Sequence, residues 1–123
     1  MPHIPLPEHL PGITGLLEYR LDTALPIREL TQILLRGEST LTPGERELIA
    51  TLVSARNETR FCTAAHTKAA DLLLGDDETA RAVKQDYETA PVSEKMKALL
   101  AIAAHAQRSG KDVTPEAVER AKR

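Results

Sequence analysis

Residues 41–70 read LTPGERELIATLVSARNETRFCTAAHTKAA, and this stretch decides the fold. Thr42, Pro43, Gly44 and Glu45 combine two helix-start signals. Thr42 and Glu45 stand at capping-box spacing, and Pro43 occupies the first helical position, where its missing N–H costs nothing. The helix is predicted to run to about Asn57. Leu48, Ile49, Leu52 and Val53 form its apolar face. At about 100° per residue, Glu47, Ala50, Thr51 and Ser54 fall on the opposite side. That side is small and weakly polar, so a second helix can approach it closely. The spacing predicts this second helix from about Thr59 to Leu74, stopped by Gly75. Phe61, Ala65, Ala69, Leu72 and Leu73 make its expected apolar stripe, with Cys62 and His66 on one edge. Arg60, Thr63, Thr67 and Asp71 lie on its other face.

Further helices extend outward on both sides. Ile27, Leu30, Ile33 and Leu34 repeat at helical spacing after Pro26, expected in the first turn, and Gly37 ends that helix. A short helix is expected from Ile13 to Tyr19, after Gly12. Residues 1–12 hold four of the eight prolines and read as an extended arm. On the other side, Asp76, Asp77 and Glu78 place acid at the start of a helix that ends near Tyr87. Pro91 and Ser93 open another, with Met96, Leu99, Leu100, Ile102 and Ala103 on its apolar side and Gly110 closing it. Thr114 and Pro115 open a last helix. The expected fold class is all-α, a bundle of about six helices over residues 13–123.

Composition agrees. The chain has 123 residues, enough for one domain with a core of its own. Tyr19, Phe61 and Tyr87 are its only aromatic residues, so the core must be aliphatic and alanine-rich, as in packed helices. Sixteen Lys and Arg against eighteen Asp and Glu leave a net charge of −2, which argues against a strongly basic nucleic-acid binder. Cys62 is the single cysteine, so no internal disulfide forms and a disulfide-stapled secreted scaffold is excluded. No apolar run approaches the ~20 residues of a membrane span. The first residues lack the basic start and apolar core of a signal peptide. The expected location is the cytoplasm, with no membrane partner.

One constellation suits chemistry. Cys62 falls about three residues into its helix, where unpaired backbone N–H groups and the helix dipole favour a thiolate. His66 lies one turn further along the same face, placed to take the thiol proton. Thr59 is the expected N-cap, its oxygen accepting the Cys62 amide hydrogen bond. In a tight hairpin turning near residues 57–59, Glu47 lies ~15 Å from the turn and His66 ~10 Å, so a Glu–His–Cys relay is geometrically possible. Each residue also has a plainer reading: an inert buried cysteine, a structural histidine, a solvated glutamate, a simple cap.

The stretch resembles the alkylhydroperoxidase D-like branch of the carboxymuconolactone decarboxylase superfamily. The pattern of that branch is a glutamate, eleven residues, then C-x-x-C-x-x-x-H, often with Asn two before the first Cys and Tyr just before the second. Glu47, Asn57, Cys62, Ala65 and His66 stand in register, and Phe61 replaces the usual Tyr. The resemblance implies that Cys62 attacks a hydroperoxide while Glu47 and His66 relay protons, with Thr59 and Phe61 in support. It implies no cofactor and a homo-oligomer, trimeric or hexameric. Thr59 stands where the resolving cysteine belongs, so an external thiol must serve as reductant. The alternatives are a decarboxylase-like enzyme acting on a small lactone or carboxylate through the Glu and His, and a catalytically degenerate oligomeric scaffold. Relatives of this branch usually continue with further apolar helices, so the chain reads as a short form or a fragment.

Two other readings have weaker support. The two helices of residues 41–74 superficially resemble a helix-turn-helix, but Arg60, Thr63, Thr67 and Lys68 lack the Arg, Asn and Gln density of base reading. Cys62, His66, Glu47 and His105 are conceivable zinc ligands, yet only one pair has helical spacing, and the resemblance needs no metal.

Overall fold

The computed structural model describes residues 2–123. Among them the chain forms seven α-helices, a 3-10 turn and no strand, so the all-α expectation holds with one helix more than the count expected. The helices are α1 (Ile13–Tyr19), α2 (Leu21–Arg36), α3 (Pro43–Arg56), α4 (Arg60–Leu74), α5 (Thr79–Asp86), α6 (Glu94–Arg108) and α7 (Pro115–Lys122), with the 3-10 turn at Gly110–Asp112 between the last two. The chain divides into two compact units between Thr40 and Leu41.

The first unit holds α1 and α2, preceded by residues 2–12, which contain no helix. Leu6 and Leu10 lie beside Gly15, and Arg28 on α2 hydrogen-bonds Glu18 on α1. α2 starts earlier than predicted, so Pro26 lies inside it rather than in its first turn. Arg20 is the N-cap, and Asp22 places acid in the first turn. The early start gives up only one bond, because Pro26 has no N–H to offer the Asp22 carbonyl. Gly37 ends the helix as expected, its N–H donating to the Ile33 carbonyl. The apolar series of α2 is not core: Ile27, Leu30, Ile33 and Leu34 are all exposed, Leu34 to 61%.

In the second unit α3 is central. It packs along α4, α5 and α6, and α7 packs on α6. The core is formed by Leu48, Leu52, Val83, Met96 and Leu100, with Ala70, Ala80, Ala90 and Ala104 between them. Leu48 and Leu52 confirm the predicted apolar face of α3. Its opposite side is buried too, at Glu47, Thr51 and Ser54. Small residues there let α4 approach, and Gly44 continues the stripe: a Cβ at Gly44 would lie 2.7 Å from Leu74 Cδ2.

α4 departs from the expected orientation. Phe61, Ala65, Leu72 and Leu73 of the predicted apolar stripe are exposed, and the fully buried position is Ala70. The helix turns its narrower, more polar side inward, with Cys62, Thr63, His66, Thr67 and Asp71 partly buried. Thr67 Oγ1 accepts a hydrogen bond from Lys84 Nζ of α5 at 3.1 Å. Close helix contact through small residues outweighs the placement of the largest apolar side chains.

The predicted caps at α3, α6 and α7 form. Thr42 and Glu45 make both bonds of the capping box, and Ser93 and Thr114 accept from Met96 N and Ala117 N. At α5 the acid works differently from a simple dipole partner. Asp76 Oδ1 accepts from the Thr79 and Glu78 amides, which holds its carboxyl below the usual aspartate range.

Candidate active site

The turn between α3 and α4 sets the geometry of the site. Asn57 caps α3, Glu58 takes the left-handed conformation with φ 56°, and Thr59 begins α4. Glu58 N–H donates to the Ala55 carbonyl and Thr59 N–H to the Ser54 carbonyl, each at 3.1 Å. These two bonds define a Schellman ending, built here on a glutamate instead of the customary glycine. They reverse the chain within three residues, so α4 runs back antiparallel along α3. Asn57 Oδ1 also accepts from Gln107 Nε2 on α6 at 2.7 Å.

Thr59 is the N-cap residue by position, but its side chain does not cap. Its hydroxyl donates to the Ser54 carbonyl at 2.9 Å, tying the start of α4 to the end of α3. The expected bond from the Cys62 amide to the Thr59 side chain is absent. The first intrahelical bond of α4 runs from Thr63 N–H to the Thr59 carbonyl at 2.9 Å. Arg60, Phe61 and Cys62 precede it, so Cys62 occupies the first turn, at the positive end of the dipole.

Further along the hairpin, Glu47 of α3 meets His66 of α4. His66 Nδ1 and Glu47 Oε2 are 2.7 Å apart. The Glu47 side chain is only 2% exposed, and that of His66 is 28% exposed. The plainer reading of Glu47 as a solvated surface residue therefore fails. With Nδ1–H donating to the carboxylate, the neutral imidazole keeps its lone pair on Nε2. A carboxylate that orients one ring nitrogen and leaves the other as a base is a general acid–base arrangement. Cys62 lies one helical turn before His66 on the same face, a free and partly exposed thiol.

The remaining expected residues are placed as follows. Phe61 is 38% exposed beside Cys62 in sequence and belongs to the outer surface of α4. His105 sits in the last turn of α6, with Nδ1 buried and unpartnered. Among the described residues no group of three or more His, Cys, Asp or Glu could hold a metal ion. Among the same residues no helix is long and apolar enough to cross a membrane. α3 and α4 pair along an antiparallel register rather than crossing as a helix-turn-helix does. Sequence reasoning gave Thr51 no role, although it is fully buried on the Glu47 face. The signal available was its place four residues after Glu47.

Comparison with known proteins places the fold and the family. The carboxymuconolactone decarboxylase family model matches residues 23–104. An uncharacterized peroxidase-related protein from Silicibacter sp. TM1040 has a similar fold, with a TM-score of 0.81 and 24% identity over 98% of this chain and 72% of its own. A second such protein, from Ralstonia eutropha JMP134 and described as an alkylhydroperoxidase AhpD core, has a TM-score of 0.81 and 24% identity. There the likeness covers 89% of this chain and 58% of the other. No curated protein matches the chain.

Proposed function

This chain belongs to the carboxymuconolactone decarboxylase family, and we propose that it is a peroxidase-related member that reduces organic hydroperoxides through Cys62. The observation that supports this reading is the pairing of buried Glu47 with partly exposed His66, one helical turn from a free thiol in the first turn of α4. His66 Nε2 takes the Cys62 proton, and Glu47 stabilises the imidazolium that results. The thiolate attacks one peroxide oxygen. An S–O bond forms, the O–O bond breaks, and the proton on His66 passes to the departing alkoxide. Sulfur is oxidised to the sulfenic acid, and the peroxide is reduced to an alcohol.

Thr59 cannot close a disulfide with Cys62, and the chain has no other cysteine. The sulfenic acid is therefore discharged by an external thiol. The first thiol forms a mixed disulfide and releases water, and a second thiol frees Cys62. The chemistry needs no cofactor. A single unpaired thiol suits a reducing compartment such as the cytoplasm. The exposed apolar residues of α2 support a homo-oligomer of trimeric or hexameric type.

The test is trapping of the Cys62 sulfenic acid after one equivalent of organic hydroperoxide, followed by mass spectrometry. The wild type should trap far faster than a free thiol, and Glu47→Gln and His66→Ala should each slow it by roughly 10²-fold or more. Trapping at the rate of a free thiol in the wild type would sink this reading. The decarboxylase-like alternative would then stand, because Glu47 and His66 form an acid–base pair without the sulfur.

A further inference from the structure

Thr51 is fully buried, and its hydroxyl has no hydrogen-bond partner. A buried hydroxyl without a partner is costly, and a threonine inside a helix has an easy remedy in the carbonyl four residues back. Two other helical threonines of this chain use that remedy. Thr31 Oγ1 donates to the Ile27 carbonyl at 2.8 Å, and Thr63 Oγ1 to the Thr59 carbonyl at 2.7 Å. Thr51 does not.

The register of the hairpin shows what faces it. Ser54 and Thr59 are joined at the turn end, and Glu47 and His66 at the far end. Three residues back from Ser54 along α3, and three on from Thr59 along α4, Thr51 comes level with Cys62. Four more in each direction reach Glu47 and His66. Thr51 shares the face of Glu47, and Cys62 shares the face of His66. The unused hydroxyl thus belongs to the layer of the hairpin that holds the sulfur, between two anchored layers.

We infer that the Thr51 hydroxyl is the hydrogen-bond donor for the oxygen that Cys62 takes from the peroxide. This inference rests on the peroxidatic role proposed above. As the S–O bond forms and the O–O bond breaks, a lone pair of the transferred oxygen accepts from the Thr51 hydroxyl, which orients that oxygen toward the sulfur. The proton for the departing alkoxide still comes from His66; Thr51 keeps its own. The same bond holds the sulfenic acid until an external thiol arrives, which matters in a chain without a resolving cysteine.

The experiment compares wild type, Thr51→Val and Thr51→Ser. It measures the rate of sulfenic acid formation with cumene hydroperoxide, the rate of Cys62 alkylation by iodoacetamide, and thermal stability. Iodoacetamide transfers no oxygen, so it reports the thiol alone. Thr51→Val should slow peroxide attack about tenfold, the worth of one hydrogen bond, and leave alkylation unchanged. Thr51→Ser should retain most of the rate. Thr51→Val should be at least as stable as the wild type, since it removes an unpaired buried hydroxyl. A fast wild type matched by Thr51→Val overturns the inference and leaves the peroxidatic reading intact. Equal slowing of peroxide attack and alkylation also overturns it, showing that Thr51 acts through packing. A wild type no faster than a free thiol overturns both.

Discussion

Glu47 and His66 form a partly buried polar pair, and such a pair has consequences beyond its proposed chemistry. Burying a carboxylate is costly unless its oxygens are partnered, so removing the imidazole leaves Oε2 without its 2.7 Å partner. His66→Ala is expected to lower stability by about 1–3 kcal/mol in urea unfolding. An unchanged midpoint would mean that other groups satisfy Glu47 fully. Glu58 presents the opposite case. Its left-handed backbone costs a non-glycine residue about 1 kcal/mol, and the Schellman bonds it makes are backbone bonds that glycine keeps. Glu58→Gly is expected to stabilise the protein by up to about 1 kcal/mol with peroxide reactivity intact. A loss of reactivity there would show that the turn's rigidity, rather than its bonds, aligns α4.

At the scale of elements, α3 organises the second unit because both of its sides are buried. Leu48 and Leu52 face the common core, while Glu47, Thr51 and Ser54 face α4. α7 is attached more lightly. Besides its packing on α6, Arg120 makes a two-pronged ion pair with Glu88, at 2.8 and 2.9 Å. The Arg120 guanidinium holds the Glu88 carboxyl below the usual glutamate range. A carboxyl whose folded pKa is lowered contributes stability that is present above its unfolded pKa. That contribution is lost as the pH falls through the folded value. Wild type and Glu88→Gln should therefore differ in stability at neutral pH and converge in acid below the ordinary carboxylate range. The pair is about half exposed, so the neutral-pH difference should be small and should shrink in ~1 M salt. Thermal unfolding of both proteins across pH measures this, and a gap that persists in acid would assign the effect to packing.

For the whole molecule, the uncovered surface is the most informative feature. Leu21, Leu25, Ile27, Leu30, Ile33 and Leu34 are all exposed along one helix of 16 residues. An apolar series of that kind marks an interaction surface, and a second copy of the chain is the proposed occupant. Sedimentation should find an oligomer for the wild type and smaller species for Leu30→Glu combined with Leu34→Glu. The double variant should keep the helical signal of the wild type, because neither side chain is in the core. A monomeric wild type would remove the oligomer from the proposed function.

The sequence by itself determined the class of the fold, the order of the helices and most of their ends. These depend on local chemistry: the Thr42 capping box, the serine and threonine caps of α6 and α7, the glycine after α4, and an apolar period of 3.6. The spacing of Glu47, Cys62 and His66 was legible for the same reason, since residues four apart on one helix are neighbours whatever surrounds them. Only the tertiary structure decided which side of each helix faces inward. Ile27, Leu30, Ile33 and Leu34 of α2 and most of the Phe61–Leu73 stripe of α4 read as apolar helix faces, and the structure leaves them exposed. The inward side of α4 was set by what α3 could receive, and a small polar face accepts a helix closely only through another narrow face. That choice depends on the partner surface, which no local period encodes. It brings His66 to Glu47 and leaves the Thr51 hydroxyl buried level with the one cysteine.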